Sequence, residues 1–569
     1  MNHLSYTLPS DLEATLRSTL DEWQHADKLA RLWDRDATLW TGNDEADWLG
    51  WLNIARQSLQ LVDSLESFAR DLAAGEIRQV VLLGMGGSSM APEVIAMTFG
   101  QQPGYPELLV LDSTDPSQIK RVEAALDLEH TAFIVSSKSG SSLEPNILMA
   151  WFLQRLTEAV GAEKAVGHFI AITDPGTSLD KQATADGFMC IFPGKPDIGG
   201  RFSVLSNFGV VPAAVSGVDC RRFLEKTLEM VTACETTREL SDNPGVLPGC
   251  ILGVAANAGR DKLTIVASPA LASIGAWLEQ LVAESTGKQG KGIIPVDGET
   301  LVNSAAYGND RVFVYLSLAG EPDPDQDKAI ARLEQAGEAV IRITLDDRYT
   351  LGQEFFRWEM ATAVAGAVMD LNPFDQPDVE ASKIEARKIT DAYEAGGSLP
   401  DEAPLAADSQ LALFADERNA RELQSLAGGE TVEALLKAHF DRAQPGDYVA
   451  LLAYLDRNTD NTRQLQRLRD AVRQNGRIAS CLGFGPRFLH STGQAYKGGP
   501  NTGVFLQITA DVHEDLQVPG RGYTFGVVEA AQAQGDIDVL VERGRRVLRV
   551  HLGSDVTAGL EQLNRLLTL

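Results

Sequence analysis

From residue 79 onward, short apolar runs alternate with stretches of helical period. This alternation restricts the chain to parallel sheets covered by helices on both faces. QVVLL at 79–83, LLVLD at 108–112, AFIV at 132–135 and HFIAIT at 168–173 read as the strands of one such unit. LTIVAS at 263–268, VFVYL at 312–316 and AVIRIT at 339–344 belong to a second, followed by a long helix over 351–369. A Gly-, Pro- and acid-rich stretch at 396–408 reads as a linker, and a third set of strands follows it at 448–452, 478–481, 504–508 and 547–550. Ahead of the alternation, Leu12, Leu16 and Leu20 recur at helical spacing, and 52–65 does the same. The expected order is a helical N-terminal segment (1–75), a first α/β domain (76–220), a second (221–395), the linker (396–408) and a further C-terminal α/β unit (409–569).

At 569 residues the chain exceeds what one core can organise. Its formal net charge of −29 argues against nucleic acid or an acidic membrane as partner, and obliges any anionic ligand to find a local cationic pocket. Five scattered cysteines without CxxC spacing fit a reducing cytoplasm, with neither a disulfide frame nor a zinc site. No signal-peptide pattern opens the sequence and no run of 18 apolar residues occurs, so a cytoplasmic protein is expected. Neither a cofactor nor a metal is expected: GxxxxGK[ST] is absent, the third glycine of GxGxxG is replaced by Ser89, and no His–carboxylate set has ligand spacing.

The chemistry concentrates in a few stretches. FIVSSKSGSSLE at 133–144 ends an apolar strand in a cluster of hydroxyls just before a helical pattern. A helix amino end offers unpaired N–H groups and a favourable dipole to an anion; Ser137, Ser139 and Ser142 add donors, Lys138 adds charge and Gly140 lets the backbone approach closely. GMGGSS at 84–89 is a second strand–turn–helix loop of the same kind, with Gly87 and Ser88 in it. In DIGGRFS, Gly200 permits a tight backbone from which Arg201 can direct a fixed cation. Gln280 and Glu284 are four apart on one helical face, and DQPDVEASK carries Lys383 seven residues after Gln376 on another. Each stretch alone also suits a capped loop or a solvated surface helix; their combination is the signal.

In order and spacing, GMGGSS, SSKSGSSLE, IGGRFS, the Gln280/Glu284 pair and NPFDQPDVEASK resemble the phosphoglucose isomerase (glucose-6-phosphate isomerase) family over residues 80–390. Outside the motifs the sequence looks closest to the isomerase half of bifunctional transaldolase/phosphoglucose isomerase fusions. The resemblance implies two sugar-isomerase (SIS) type domains and a glycolytic and gluconeogenic aldose–ketose isomerase acting on a hexose 6-phosphate. It also implies that Ser88, Ser137, Ser139, Ser142 and the Lys138 backbone hold the phosphate, with Gly87, Gly200 and Gln280 in the binding set. Arg201 would stabilise the enediolate, Glu284 would be the base and Lys383 would act at ring opening.

One departure concerns histidine. The family carries an essential His between its Glu and Lys motifs, whereas 285–382 contains none and Asn303-Ser304-Ala305-Ala306 stands in the corresponding stretch. Far downstream, Leu489-His490-Ser491-Thr492-Gly493-Gln494 looks like the family's His motif. The segments 311–347 and 502–555 also echo one another. The expectation is a duplicated His-bearing segment, with His490 catalytic in place of the lost residue. The family pattern is a homodimer sharing this His; acting within its own chain, His490 would permit a monomer. A non-catalytic sugar-phosphate sensor, or an isomerase that also takes mannose 6-phosphate, are the competing readings.

Overall fold

The computed structural model describes every residue except 237–238, 400–401, 475–476 and 569, so the expected linker at 396–408 includes two positions outside the described residues. The strands in chain order are β1 (His3–Thr7), β2 (Gln79–Gly84), β3 (Glu107–Leu111), β4 (Thr131–Ser136), β5 (Phe169–Thr173), β6 (Cys190–Pro193), β7 (Lys262–Ala267) and β8 (Ile294–Asp297). They continue with β9 (Arg311–Leu318), β10 (Ala339–Leu345), β11 (Ala406–Ala407), β12 (Ala412–Phe414), β13 (Tyr448–Ala453), β14 (Ala479–Phe484), β15 (Gly503–Thr509) and β16 (Arg546–His551). The chain divides into two bodies, one made of Met1–Asp112, Ala125–Thr286 and Val312–Asp375, the other of Ser113–Ala124, Gly287–Arg311 and Gln376–Leu569.

In the first body one sheet runs β3-β2-β4-β5-β6, every neighbour parallel. Its central strands are mostly apolar because helices cover both faces: β4 is buried along its whole length, and Phe133 stacks on Phe152 and Phe169 at 4.6 and 5.4 Å. Chain order places β3 on one side of β2 and β4 on the other, so β2 and β4 flank the point where winding reverses. A second sheet contains β1, β10, β9 and β7 in that order, with β9 and β10 parallel and β1 antiparallel on β10. The helix Leu351–Val368 is buried almost all round, its polar Gln353, Glu354, Arg357 and Glu359 included. The apolar pattern signals neither β1, which begins a segment read as helical, nor β6; both are short, half-wet edges.

The second body is built on the order β11-β12-β16-β15-β13-β14. One face follows the period of two: Val449, Leu451 and Ala453, Val504, Leu506 and Ile508, and Leu548 and Val550 join a single apolar cluster. The other face carries Tyr448, Phe505 and Gln507. The helix Pro377–Gly396 lies against the helix Phe525–Glu542, where a Cβ on Gly535 would meet the Ala386 nitrogen at 2.8 Å. The bodies follow packing rather than the segment boundaries drawn from sequence. Glu299 accepts bonds from the Ser480 backbone N–H and hydroxyl, both at 3.0 Å, and pairs with Arg311 at 2.9 Å. These contacts draw Gly287–Arg311 into the second body. Likewise the Arg121 fork on Asp456, at 2.7 and 3.1 Å, draws in Ser113–Ala124. Among the described residues no helix is long and apolar enough to cross a membrane.

Candidate active site

At the switch point of the first sheet, Gly84 at the end of β2 pairs in register with Ser136 at the end of β4. The two Ser/Gly loops therefore leave the sheet side by side, where open α/β sheets bind ligands. After β2, Gly86–Ser88 form a single 3₁₀ turn with Gly86 at φ +55° and Ser88 buried. Gly87 is obligatory for a steric reason: a Cβ there would sit 2.0 Å from the Gly200 carbonyl oxygen. That contact brings the GMGGSS loop against the turn that carries Arg201.

After β4, the hydroxyls of Ser136 and Ser137 are buried with no hydrogen-bond partner among the described residues, and Gly140 sits at φ +67°, where a Cβ would meet Thr177 at 2.8 Å. Ser139 is exposed and accepts from the Ser141 N–H at 3.3 Å. Ser142 occupies the N-cap of the helix Leu143–Val160 but makes no side-chain cap bond, which leaves its hydroxyl unused by the helix. The Lys138 ammonium does not serve the loop: it pairs with Asp174 and donates to the Lys195 carbonyl at 3.0 Å. Ser136, the last residue of β4, is the first hydroxyl of this cluster.

Arg201 is buried, and its guanidinium is fixed by four groups of the first body. Nε donates to Ser285 Oγ at 2.7 Å, and an Nη donates to the carbonyls of Pro373 at 2.5 Å and Asp375 at 3.0 Å. The other Nη lies 3.7 Å from Glu284 Oε1. Burial pulls the guanidinium's pKa down, while Glu284 and Asp375 act against it. Glu284 and Gln280 lie one turn apart on the helix Ile274–Thr286, both buried, and Gln280 Nε2 donates to Glu284 Oε2 at 3.1 Å. Gln280 Oε1 is buried with no partner among the described residues. The structure thus brings Arg201, Gln280 and Glu284 together, with a carboxylate held between an amide and a cation.

Lys383 and His490 belong to the second body. Lys383 lies on the helix Pro377–Gly396, 40% exposed, 3.7 Å from Glu380. His490 ends the 3₁₀ turn Arg487–His490 after β14 and is half-buried. The segment behind it is anchored by a buried Lys497–Asp536 ion pair at 2.5 Å and by Arg545, which donates to the Gly499 carbonyl at 2.8 Å. Among the described residues no three His, Cys, Asp or Glu side chains are grouped to hold a metal.

A family model described as phosphoglucose isomerase matches residues 53–306, which span both serine loops, Arg201, Gln280 and Glu284. Over that stretch the chain is similar to phosphoglucose isomerases. The glucose-6-phosphate isomerase of Trichormus variabilis is 28% identical over 396 residues, covering 59% of this chain and 72% of that one. The probable glucose-6-phosphate isomerase of Methanococcus maripaludis is 28% identical over 377 residues, 59% and 82%. Two solved structures share the fold. A hypothetical protein of Thermus thermophilus has a TM-score of 0.56 at 23% identity, covering 68% of this chain and 99% of its own. A glucose-6-phosphate isomerase of Chlamydia trachomatis has a TM-score of 0.52 at 20% identity, covering 62% and 75%.

Proposed function

We propose that the protein interconverts glucose 6-phosphate and fructose 6-phosphate. The observation that carries this reading is the carboxylate of Glu284, held by Gln280 and Arg201 in the body whose sheet also presents two serine loops from adjacent strand ends. The loops anchor the phosphate through backbone N–H groups and the hydroxyls of Ser88, Ser137, Ser139 and Ser142. They do no chemistry, but they hold C1 and C2 of the sugar in register. On the open-chain aldose, Glu284 removes the proton from C2 and returns it to C1. Arg201 stabilises the enediolate oxygens that form between the two steps.

Hexose phosphates are mostly ring-closed, so turnover begins with ring opening. A proton leaves the C1 hydroxyl, one reaches the ring oxygen, and the C1–O5 bond breaks. We assign this exchange to His490 and Lys383, the imidazole being suited to it because one ring nitrogen can give a proton while the other takes one. The absence of His from 285–382 supports His490 in this role. His490 acts from the same chain, giving a working monomer, or from a second copy, giving an obligatory dimer. A cytoplasmic setting follows from the substrate and from the scattered free cysteines.

A coupled assay that follows glucose 6-phosphate formed from fructose 6-phosphate tests the reading, and a protein that binds the sugar phosphate without converting it would overturn it. Mixing Glu284→Gln with His490→Ala and recording light scattering separates the two arrangements: recovered activity means that sites are shared between copies.

A further inference from the structure

The helix that carries Lys383 is not capped by its own N-terminal residue. Gln376, at the N-cap, makes no side-chain cap bond, and Pro377 has no N–H to offer. The next two donors, the N–H groups of Asp378 and Val379, are both taken by the side-chain oxygen of Gln494, at 2.8 and 3.1 Å. Gln494 lies more than a hundred residues downstream and four residues after His490, on the helix Gly493–Gly498. Its amide nitrogen is equally committed, donating to the Gly287 carbonyl at 2.9 Å and to Asp378 Oδ2 at 2.9 Å. The side chain is fully buried and its donors and acceptor all have partners. Asp378 is held from its other side by Arg543 at 2.9 Å. Gly498 completes the joint, since a Cβ there would meet Asp378 Oδ2 at 2.3 Å and the Gly287 carbonyl at 2.7 Å.

From this geometry we infer that Gln494 is a positioning residue for ring opening: one buried amide fixes the helix bearing Lys383 against the segment bearing His490. The inference rests on the isomerase reading above and deepens it. The physical argument is that a helix start without a cap of its own has two unsatisfied donors, and whatever satisfies them sets where that helix begins. Here the cap is delivered by the neighbour of the imidazole, so the first turn of the Lys383 helix and the His490 turn cannot shift independently. The helix Pro377–Gly396 also packs directly on the helix Gly493–Gly498 and on the 3₁₀ turn Arg487–His490.

The test compares exchange between the α and β anomers of glucose 6-phosphate, which requires ring opening only, with net isomerisation, which also requires Glu284. In Gln494→Ala, anomer exchange and isomerisation fall together by about 10–100-fold, while KM changes little, because the serine loops lie in the other body. Glu284→Gln, run beside it, loses isomerisation and keeps anomer exchange. Gln494→Glu keeps an acceptor for the two N–H groups but cannot donate to Asp378 while ionised, so its anomer exchange rises as pH falls and the carboxyl becomes a donor again. Should Gln494→Ala fail to fold, this pH profile carries the test. Anomer exchange at the level of the unaltered protein in a folded Gln494→Ala, or a flat profile in Gln494→Glu, overturns the inference and leaves Gln494 a structural cap. An unaltered protein that neither exchanges anomers nor isomerises fails the functional reading instead, without reference to Gln494.

Discussion

Two connections in this chain occupy the same place in two similar sheets, and one carries a histidine where the other does not. In the first body, β1 lies antiparallel on β10, followed by β9 and β7; in the second, β12 lies antiparallel on β16, followed by β15 and β13. In both, the last two strands in chain order are parallel neighbours joined by a helix, β9 to β10 and β15 to β16. The strand preceding each such pair, β8 or β14, leads into a short 3₁₀ turn: Ser304–Ala306 in one copy, Arg487–His490 in the other. The shared topology supports a duplicated segment in which the later copy kept the imidazole. The comparison teaches that one strand order can be built twice in a chain from stretches that differ in the side chains their connections carry.

The largest expected effect concerns the carboxylate that stands in the chain just ahead of the earlier connection. Glu284→Gln should lower turnover at least ~100-fold if the carboxylate is the base, measured with fructose 6-phosphate in the coupled assay. Near-normal turnover removes the assignment. The second effect compares the two connections directly. His490→Ala should cost on the order of 100-fold on ring-closed substrate, while Asn303→Ala at the earlier copy leaves turnover within about twofold. The reverse result would return the essential position to the first copy.

Third comes the loop contact at the switch point. Gly87→Ala drives a Cβ against the Gly200 carbonyl, at a cost of about 3 kcal/mol or more. Urea unfolding should show that loss together with a raised KM for the sugar phosphate. The smallest effect concerns the second body alone. Burial, with the Asp456 carboxylate contributing, pushes Asp115 up to about 6 from 3.8. The folded state therefore holds its proton more tightly than the unfolded chain does. Below pH 3.8 both states are neutral at this group and no penalty exists; stability is lost as pH rises from there through about 6. Asp115→Asn should raise stability at pH 7.5 by at most about 3 kcal/mol, and by nothing at pH 3.5. An equal gain at both values would rule out ionisation as the cause.

Much of the architecture was legible in the residues. The expected strands at 79–83, 108–112, 132–135 and 168–173 all appear, within a residue or two at each end. The buried central strands of a parallel sheet have to be apolar on both faces, and few other structures leave that trace. The serine loops were legible for a related reason, since a run of small hydroxyl residues between strand and helix has little use in a core. Glu284 with Gln280 was recoverable from helical spacing alone.

What sequence could not supply was partnership at a distance. Nothing local indicates that the Lys138 ammonium turns to Asp174, or that Glu299 binds Ser480 and carries Gly287–Arg311 into the second body. Nor does it indicate that the Lys383 helix takes its cap from Gln494. The sequence by itself determined which segments become strands and helices and which turns join them, because hydrophobic period and backbone freedom act over a few residues. Tertiary structure alone decided which buried polar groups answer one another. A buried donor or charge must be matched wherever in the chain its partner lies, and that matching is set by packing across hundreds of residues.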